Sequence, residues 1–312
     1  MKILMTGSSG LVGTALAGSL AADGHTVCRL VRPGSKAAGA GEGFDVPWNP
    51  ATGDLGGAGV GADAVINLAG APIAEGRWTP QRKEELRTSR TATTRALVNA
   101  LAKMSARPRV LLSASATGYY GDRGEETLTE ESAPGAGMLG EICREWEGEA
   151  QRAEVLGIRV VRLRIGIVLA RNGGALGKML CPFRLGAGGR LGSGRQWMSW
   201  VTLEDLVGIF RFALEEAPEG SNLSRMPLGG AINAVSPQPV RNAEFTRALA
   251  RAVHRPAIFP APGFALRLAL GEMADALLLA SQRVLPLKLA DAGYHFRHAE
   301  LGAALAAVLN PK

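Results

Sequence analysis

The chain has 312 residues, of which 46% are hydrophobic and 20% are charged. This length predicts one or two domains with a sizeable core, and the composition excludes a disordered or collagen-like chain. The formal net charge of +7 comes from 35 Lys and Arg against 28 Asp and Glu, with the basic residues scattered along the chain. Because nucleic-acid-binding surfaces concentrate such charge, we expect no nucleic acid partner.

The cysteines and the apolar runs exclude other classes of protein. The three cysteines, Cys28, Cys143 and Cys181, lie far apart in the sequence, so we expect neither a disulfide framework nor a metal site. The first apolar run is broken by Gly7, which is unlike a secretory signal, and the later runs are too short to span a membrane. We therefore expect a cytoplasmic protein with no membrane partner.

The N-terminal residues predict a strand, a glycine-rich turn, a helix and a second strand. Lys2–Thr6 is a short apolar run, after which Leu16 and Leu20 recur at helical spacing. Gly24 can end this helix in a left-handed turn, and Thr26–Val31 has the composition of a strand. This order, within about 30 residues, is that of one βαβ unit.

The turn itself has the spacing Gly7-x-x-Gly10-x-x-Gly13. Between a strand and a helix, such glycines allow a tight turn, a close backbone approach to a pyrophosphate and close packing of the helix on the strand. The helix N-terminus, which includes Leu11 and Val12, would offer unpaired N–H groups to the phosphates. The motif predicts a dinucleotide-binding site, and a glycine-rich turn without a ligand is the alternative.

The residue beyond the second predicted strand distinguishes two cofactors. NAD-binding units place Asp or Glu about 20 residues past the glycines, where it accepts a hydrogen bond from the ribose 2′-hydroxyl. This chain has Arg32 there. A guanidinium can bind a 2′-phosphate that a carboxylate would repel. Arg32 therefore predicts NADP(H) over NAD(H), and a solvated arginine at a strand end is the alternative.

Strands and helices keep alternating through the first half of the chain. The predicted elements are a strand at Ala64–Leu68, a helix from Thr79 or Pro80 to Met104, a strand at Val110–Ser113, a helix at Glu141–Leu156 and a strand at Ile158–Leu163. The small residues Ala69 and Gly70 would let a nucleotide lie against the backbone. The alternation predicts an α/β fold of the Rossmann type, a doubly wound parallel sheet with ligands at the carboxyl ends of its strands.

The alternation weakens from Gly166 onward. The predicted elements are a strand at Gln196–Val201 that pairs at the sheet edge, a helix at Leu203–Leu214, a strand at Ile232–Val235, a helix at Ala243–Val253 and an apolar stretch at Phe264–Leu279. We expect the apolar stretch to be buried core, with a dimer surface or a lid as alternatives. Three loop arginines would either meet an anionic substrate or be solvated: Arg184, Arg190 and Arg195.

Several motifs together make the chain resemble an extended short-chain dehydrogenase/reductase. They are the glycine motif, Asn67-Leu68-Ala69-Gly70, Ser113–Gly121, Arg164–Leu169 and Trp200–Leu206. Other segments are similar to the atypical branch known as the NAD-dependent epimerase/dehydratase family, whose members are also described as nucleoside-diphosphate-sugar epimerases. Those segments include Arg77-Trp78, Trp146-Glu147 and Gly293-Tyr294-His295-Phe296. The resemblance spans nearly the whole chain.

The resemblance implies two domains, an NADP-binding Rossmann domain over residues 1–165 and a smaller α/β substrate domain over residues 166–312. Residues 196–214 and 231–236 would return to the Rossmann part, and related proteins form homodimers. By position, the residues that would line the cofactor are Arg32, Leu68, Ala69, Glu85, Arg90 and Ile167.

The catalytic residues depart from the pattern of the family. Typical members use a Tyr with a Lys four residues later, and the Lys lowers the pKa of the phenol so that it can pass a proton. This chain contains no Tyr-x-x-x-Lys. When Trp146-Glu147 is aligned with the usual helix, Leu139 and Cys143 stand at those two positions, and neither can exchange a proton as that pair does.

Three residues remain as catalytic candidates. Ser115 matches the serine that hydrogen-bonds the substrate carbonyl, and Tyr119 and Tyr120 follow it closely enough to approach the same cleft. Each tyrosine would act either as a proton donor or as an aromatic surface for the nicotinamide or substrate. Without a neighbouring cation, a phenol has a pKa of about 10 and is a poor acid–base group at neutral pH.

The sequence therefore leaves two hypotheses about function. The first is an NADP(H)-dependent oxidoreductase or epimerase that acts on a small carbonyl- or hydroxyl-bearing substrate. The second is a non-catalytic NADP(H)-binding module that acts as a sensor or regulator. Because the same fold serves both, the side chains around the site have to decide between them.

Overall fold

The computed structural model describes residues 1–32, 43–53, 55, 59–215 and 227–310. Residues 33–42, which follow Arg32, lie outside this part of the chain. The helices are α1 (Leu11–Ala22), α2 (Pro80–Ala102), α3 (Met138–Gln151), α4 (Gly174–Arg184), α5 (Leu203–Leu214), α6 (Asn242–Ala252), α7 (Gly263–Leu270), α8 (Leu287–Asp291) and α9 (Leu301–Leu309).

Seven strands form one parallel sheet. They are β1 (Lys2–Thr6), β2 (Thr26–Val31), β3 (Gly43–Pro47), β4 (Ala64–Asn67), β5 (Val110–Ala116), β7 (Arg159–Ile165) and β11 (Gly230–Ala234), in the spatial order β11-β7-β5-β4-β1-β2-β3. The order reverses between β1 and β4, where ligands bind in sheets of this type. The predicted doubly wound parallel sheet is confirmed.

Short strands form three further pairs outside this sheet. The pairs are β8 (Ile167–Ala170) with β10 (Trp200–Thr202), β9 (Trp197–Met198) with β12 (Val240–Arg241), and β6 (Thr127–Leu128) with β13 (Arg283–Val284).

The first βαβ unit matches the sequence prediction residue for residue in both strands. Gly24 has a φ of +79° just beyond α1, which is the left-handed conformation that a helix-ending glycine adopts. The N-terminus of α2 is capped by Thr79, whose side chain accepts a hydrogen bond from the backbone N–H of Arg82, and Pro80 occupies its first position. Local signals therefore determine where these elements begin and end.

One prediction for the second half is wrong, and another is correct only in part. Gln196–Val201 does not join the edge of the main sheet, because β11 occupies that position and Trp200 packs beside Leu169 in a second core. The apolar stretch Phe264–Leu279 is buried core only in part. None of the residues of α7 is buried, whereas Met273 and Ala274, which follow it, are buried.

The second half nevertheless returns to the main sheet as expected in two places. The helix α5 packs with α1 against the sheet through Leu206, Ile209 and Phe210, and β11 pairs with β7. The domain boundary at residue 165 stays a prediction. Within the described part of the chain, no helix is long and apolar enough to cross a membrane.

Candidate functional site

The glycine-rich turn is packed so tightly that two of its positions exclude a side chain. Gly7 has a φ of +68°, and a Cβ there would lie 2.5 Å from the carbonyl carbon and oxygen of Leu68. A Cβ on Gly13 would lie 2.2 Å from Gly7 O. Gly7 therefore makes the turn against the next strand, and Gly13 lets α1 start directly behind it.

Gly10 differs from Gly7 and Gly13, because the space that a Cβ would occupy there is open. A Cβ there would meet only Gly7 O, at 3.5 Å, among the described atoms. Gly10 is the N-cap of α1, no described side chain caps the helix, and its first turn contains no acidic residue. The N–H groups of Leu11, Val12 and Gly13 precede the first helical hydrogen bond, from Thr14 N to Gly10 O at 2.9 Å. This end of α1 fits an anion.

The segment after β4 forms the next part of the same edge. Leu68 and Ala69 lie against the turn through their backbone, and Gly70 packs on Arg90, where a Cβ would be 3.1 Å from the guanidinium carbon. Arg90 donates to the carbonyl of Ala71 at 3.0 Å. Burial lowers the pKa of Arg90. These contacts let Arg90 support the loop, and cofactor contacts of Leu68, Ala69, Gly70 and Arg90 stay predictions.

The remaining predicted cofactor residues lie at different places on the molecule. Arg32 is exposed and immediately follows β2, which pairs with β1. Glu85 is an exposed residue on α2 that pairs with Arg82 at 2.6 Å. Ile167 is half-buried and begins β8, where its N–H donates to Ser199 O at 2.8 Å. The contacts of these three residues with a cofactor stay predictions.

A chain of buried hydrogen bonds stabilises the strand ends beneath the turn. Thr6 and Asn67 are paired in neighbouring strands, and Thr6 Oγ1 donates to Asn67 Oδ1 at 2.7 Å. Asn67 Nδ2 donates to Thr94 Oγ1 at 2.8 Å, and Trp146 Nε1 donates to the same oxygen at 3.0 Å. These contacts fix α2 and α3 relative to the strand ends.

Ser115 lies at the carboxyl end of β5 beside a buried ion pair. Its hydroxyl donates to Glu147 Oε1 at 2.7 Å. Arg164, the neighbour of Ser115 on β7, donates to the same carboxylate from Nε at 2.8 Å and from Nη2 at 3.0 Å. Burial opposes the charge of Arg164, but the hydrogen bonds and charge of Glu147 raise its pKa above the usual value.

Tyr120 does not face an open cleft, so the expectation that it approaches one is wrong. Its side chain is fully buried, and its hydroxyl donates to Asn233 Oδ1 at 2.6 Å and accepts from Arg164 Nη1 at 2.9 Å. Burial raises the pKa of Tyr120 to about 12, although Arg164 acts in the opposite direction. The short helix over Thr117–Tyr120 turns this side chain into the interior.

Tyr119 is half-buried, and it has a cation beside it. The guanidinium carbon of Arg164 lies 3.5 Å from the centroid of the Tyr119 ring. Tyr119 and Tyr120 also meet edge to face, with centroids 5.3 Å apart. Both tyrosines therefore have a neighbouring cation, which comes from β7, a strand that is remote in the sequence.

An apolar side chain and a buried thiol occupy the two positions that align in sequence with the typical Tyr and Lys. Leu139 packs with Met138 and Leu277 in an apolar cluster. Cys143 is buried, and burial with the nearby charge of Glu147 raises the pKa of its thiol to about 12. Neither group can serve as the usual acid–base pair at neutral pH.

The sequence did not reveal the Glu147–Arg164 pair as a unit. In the sequence, Arg164 stands between the apolar residues Leu163 and Ile165 of β7. Glu147 is one of several acidic residues on α3. An arginine inside a buried strand requires a charged partner, so the sequence could have predicted that Arg164 is paired. The partner's identity depends on how α3 packs across β5 and β7.

Two protein-family models match this chain, one over most of its length and one near its C-terminus. Residues 3–229 match the model of the NAD dependent epimerase/dehydratase family, and residues 261–308 match a domain of unknown function, DUF1731.

Full-length relatives are similar along the whole chain. Epimerase family protein Mb2239 of Mycobacterium bovis is 43% identical, over 97% of this chain and 96% of that one. Epimerase family protein YfhF of Bacillus subtilis is 36% identical, over 99% and 98%. The crystal structure of human epimerase family protein SDR39U1 (isoform2) with NADPH superposes with a TM-score of 0.85 at 32% identity, covering 99% of both chains.

Proposed function

The chain belongs to the NAD dependent epimerase/dehydratase family, and we propose that it is an NADP(H)-dependent oxidoreductase or epimerase that acts on a small carbonyl- or hydroxyl-bearing substrate. The human relative of similar structure was crystallised with NADPH. The observation that carries the proposal is the uncapped N-terminus of α1 behind a turn that excludes side chains at Gly7 and Gly13.

In this proposal, the chain's own residues would bind two parts of the dinucleotide, the pyrophosphate and the 2′-phosphate. The N–H groups of Leu11, Val12 and Gly13 would donate to the pyrophosphate, which Gly10 lets approach closely. Arg32, at the end of β2, would bind the 2′-phosphate and so select NADP(H). When bound, the nicotinamide supplies the hydride, and the protein orients the substrate against it.

Proton transfer falls to Tyr119 in this proposal. It is half-buried beside Arg164 and lies four residues after Ser115, whereas Tyr120 is enclosed in the core. The Ser115 hydroxyl donates a hydrogen bond to Glu147. Its oxygen would therefore accept a hydrogen bond from a substrate hydroxyl. Ser115 would then position the substrate, and Tyr119 would exchange a proton with it.

One observation favours a second candidate, a non-catalytic NADP(H)-binding sensor. The positions of the usual Tyr and Lys hold Leu139 and the buried thiol of Cys143. A protein that has lost this pair can retain cofactor binding without turnover, since the glycine-rich turn and the strand ends do not depend on it.

A screen against a panel of small ketones, aldehydes and nucleotide sugars separates the two candidates when it is followed in two ways. NADPH oxidation detects an oxidoreductase, whereas an epimerase leaves the cofactor unchanged overall and is detected by the epimeric product that forms with NADP+ present. The enzyme proposal expects one of these signals with at least one compound and its loss in Tyr119→Phe, with NADPH affinity retained. A Tyr119→Phe variant that turns over as fast as the wild type contradicts the role of Tyr119. Tight NADPH binding without turnover of any compound favours the sensor.

A further inference from the structure

A groove of about 700 Å³ lies between α1, α5 and the segment that leads into α9. One wall is a stripe on α1 made of Leu11, Ala15 and Ser19, which share a face because they are four residues apart. The floor includes Val207 and Arg211 of α5. A groove of this size is in the range of sites that hold small molecules.

The wall opposite α1 is held in place by a buried carboxylate. Asp205 accepts the backbone N–H of Arg297 at 2.7 Å and of His298 at 3.1 Å, and it is 1% exposed. The Tyr294 hydroxyl donates to the backbone carbonyl of Asp205 at 2.9 Å. A Cβ on Gly208 would lie 2.5 Å from this hydroxyl, so the groove needs glycine there.

The charged side chains along the groove are three arginines against one glutamate, namely Arg171, Arg211, Arg297 and Glu204. Arg297 pairs with Glu204, which also accepts a hydrogen bond from His298 Nε2 at 3.0 Å. Arg171 is exposed and has no ion-pair partner among the described residues. The groove therefore carries an excess of positive charge.

An existing partner does not prevent Arg211 from binding an anion. It pairs with Asp23 at 2.7 Å, and the two side chains are 42% and 33% exposed. Exposed pairs contribute little to stability, so an incoming anion can compete for such an arginine at small cost.

The rest of the lining is mixed, with polar residues such as Asn172 and Thr202 beside an apolar set made of Leu11, Leu169, Leu203, Val207 and Val308. A ligand complementary to both parts carries a negative group for the arginines and an apolar body for these side chains. We propose that this groove binds a small organic anion of that kind, at a site separate from the nucleotide site.

The two sites are separate because they use different parts of α1. The pyrophosphate would bind at the first turn, whereas Ala15 and Ser19 lie about 6 Å and 12 Å further along the helix axis. The side chain of Leu11 packs on Gly173 and Gly174, where added Cβ atoms would lie 3.2 Å from it.

A fluorescence titration with 8-anilinonaphthalene-1-sulfonate, an aromatic sulfonate, tests the proposal directly. The charge of the exposed Arg171 is reversed in Arg171→Glu, and the groove is filled in Ala15→Trp. We expect each change to weaken binding about tenfold. The matched control is Arg144→Glu, a charge reversal at an exposed residue of α3, which should leave the affinity unchanged. Octanoate should displace the probe, and inorganic phosphate should not.

Equal affinity in the wild type, Arg171→Glu and Ala15→Trp overturns the proposal. So does displacement of the probe by NADPH at concentrations that saturate the nucleotide site, because the probe would then occupy that site. The proposal does not depend on the catalytic one: a protein that binds the sulfonate in the groove but binds no NADPH contradicts only the proposed function.

Discussion

The guanidinium of Arg164 meets the carboxylate of Glu147 through two hydrogen bonds of 2.8 and 3.0 Å, and both side chains are only 4% exposed. This pair joins α3 to β7. It also holds Ser115 in place, because the Ser115 hydroxyl donates to the same carboxylate at 2.7 Å. The geometry beneath the candidate site therefore depends on one buried charge pair.

Removing one partner should strongly destabilise the protein. Arg164→Met removes the cation nearest to the buried Glu147 carboxylate and leaves it with the more distant Arg162, whose Nη1 lies 3.7 Å away. We expect this loss to cost about 3–5 kcal/mol of unfolding free energy. The matched control is Arg95→Met, which breaks the pair with Glu149 at a 58% exposed side chain and should cost far less than Arg164→Met. Urea unfolding measures both changes. Equal losses in the two variants would contradict a structural role for the buried pair.

Two glycines of α1 should respond differently to alanine. Gly10→Ala adds a methyl group where the described protein leaves room, so the stability should change by less than about 1 kcal/mol. The methyl group would obstruct the pyrophosphate, so the NADPH affinity should fall at least about tenfold. Gly18 has no described atom within 4 Å of its added Cβ. Gly18→Ala should therefore keep the affinity and raise stability by about 0.5–1 kcal/mol. An unchanged NADPH affinity in Gly10→Ala would contradict the position proposed for the pyrophosphate.

Removing the hydroxyl group should affect stability very differently at the two adjacent tyrosines. Tyr120→Phe removes the hydroxyl that contacts Asn233 and Arg164 in the interior, and it should cost about 1–3 kcal/mol. Tyr119→Phe keeps the ring that packs on Arg164, so the stability should change by less than about 0.5 kcal/mol. Thermal and urea unfolding test these values, and the reverse ranking would contradict the buried position of Tyr120.

Cys143 should make stability fall in alkaline solution. Burial raises the pKa of its thiol from 9.0 to about 12, so above about pH 9 the unfolded chain releases a proton that the folded chain keeps. The free energy of unfolding should then decrease by about 1.4 kcal/mol per pH unit until the pH nears the folded pKa. Tyr120, whose pKa is also raised, adds a decline above about pH 10.

The variant Cys143→Ala isolates the contribution of the thiol. Urea unfolding between about pH 8 and about pH 11 should show a flatter decline than in the wild type. Cys181→Ala, at an exposed cysteine, is the control and should reproduce the wild-type profile. Identical profiles for all three proteins would mean that Cys143 is not held in its thiol form by the fold.

The sequence was sufficient where local chemistry determines structure. The glycine spacing and Gly24 predicted the first βαβ unit, and the helix over Leu203–Leu214 matches its prediction at both ends. It was insufficient where remote segments decide. Trp200 joins β8 and a second core because another strand occupies the sheet edge, and no local pattern encodes that choice.

The candidate site divides in the same way. The turn and Arg32 follow from a motif read along the chain. The position of Tyr119 depends on Arg164, 45 residues away in sequence, and the enclosure of Tyr120 depends on Asn233 of β11. These contacts form only when β5, β7 and β11 lie side by side, so spacing within one segment could not predict them.

The central claim is that the N-terminus of α1 and Arg32 together bind NADP(H), and calorimetric titration with NADPH and NADH tests it most directly. We expect NADPH to bind the wild type at least about tenfold more tightly than NADH, and Arg32→Asp to remove this preference. No heat with either dinucleotide, or a preference for NADPH that survives in Arg32→Asp, would contradict the claim.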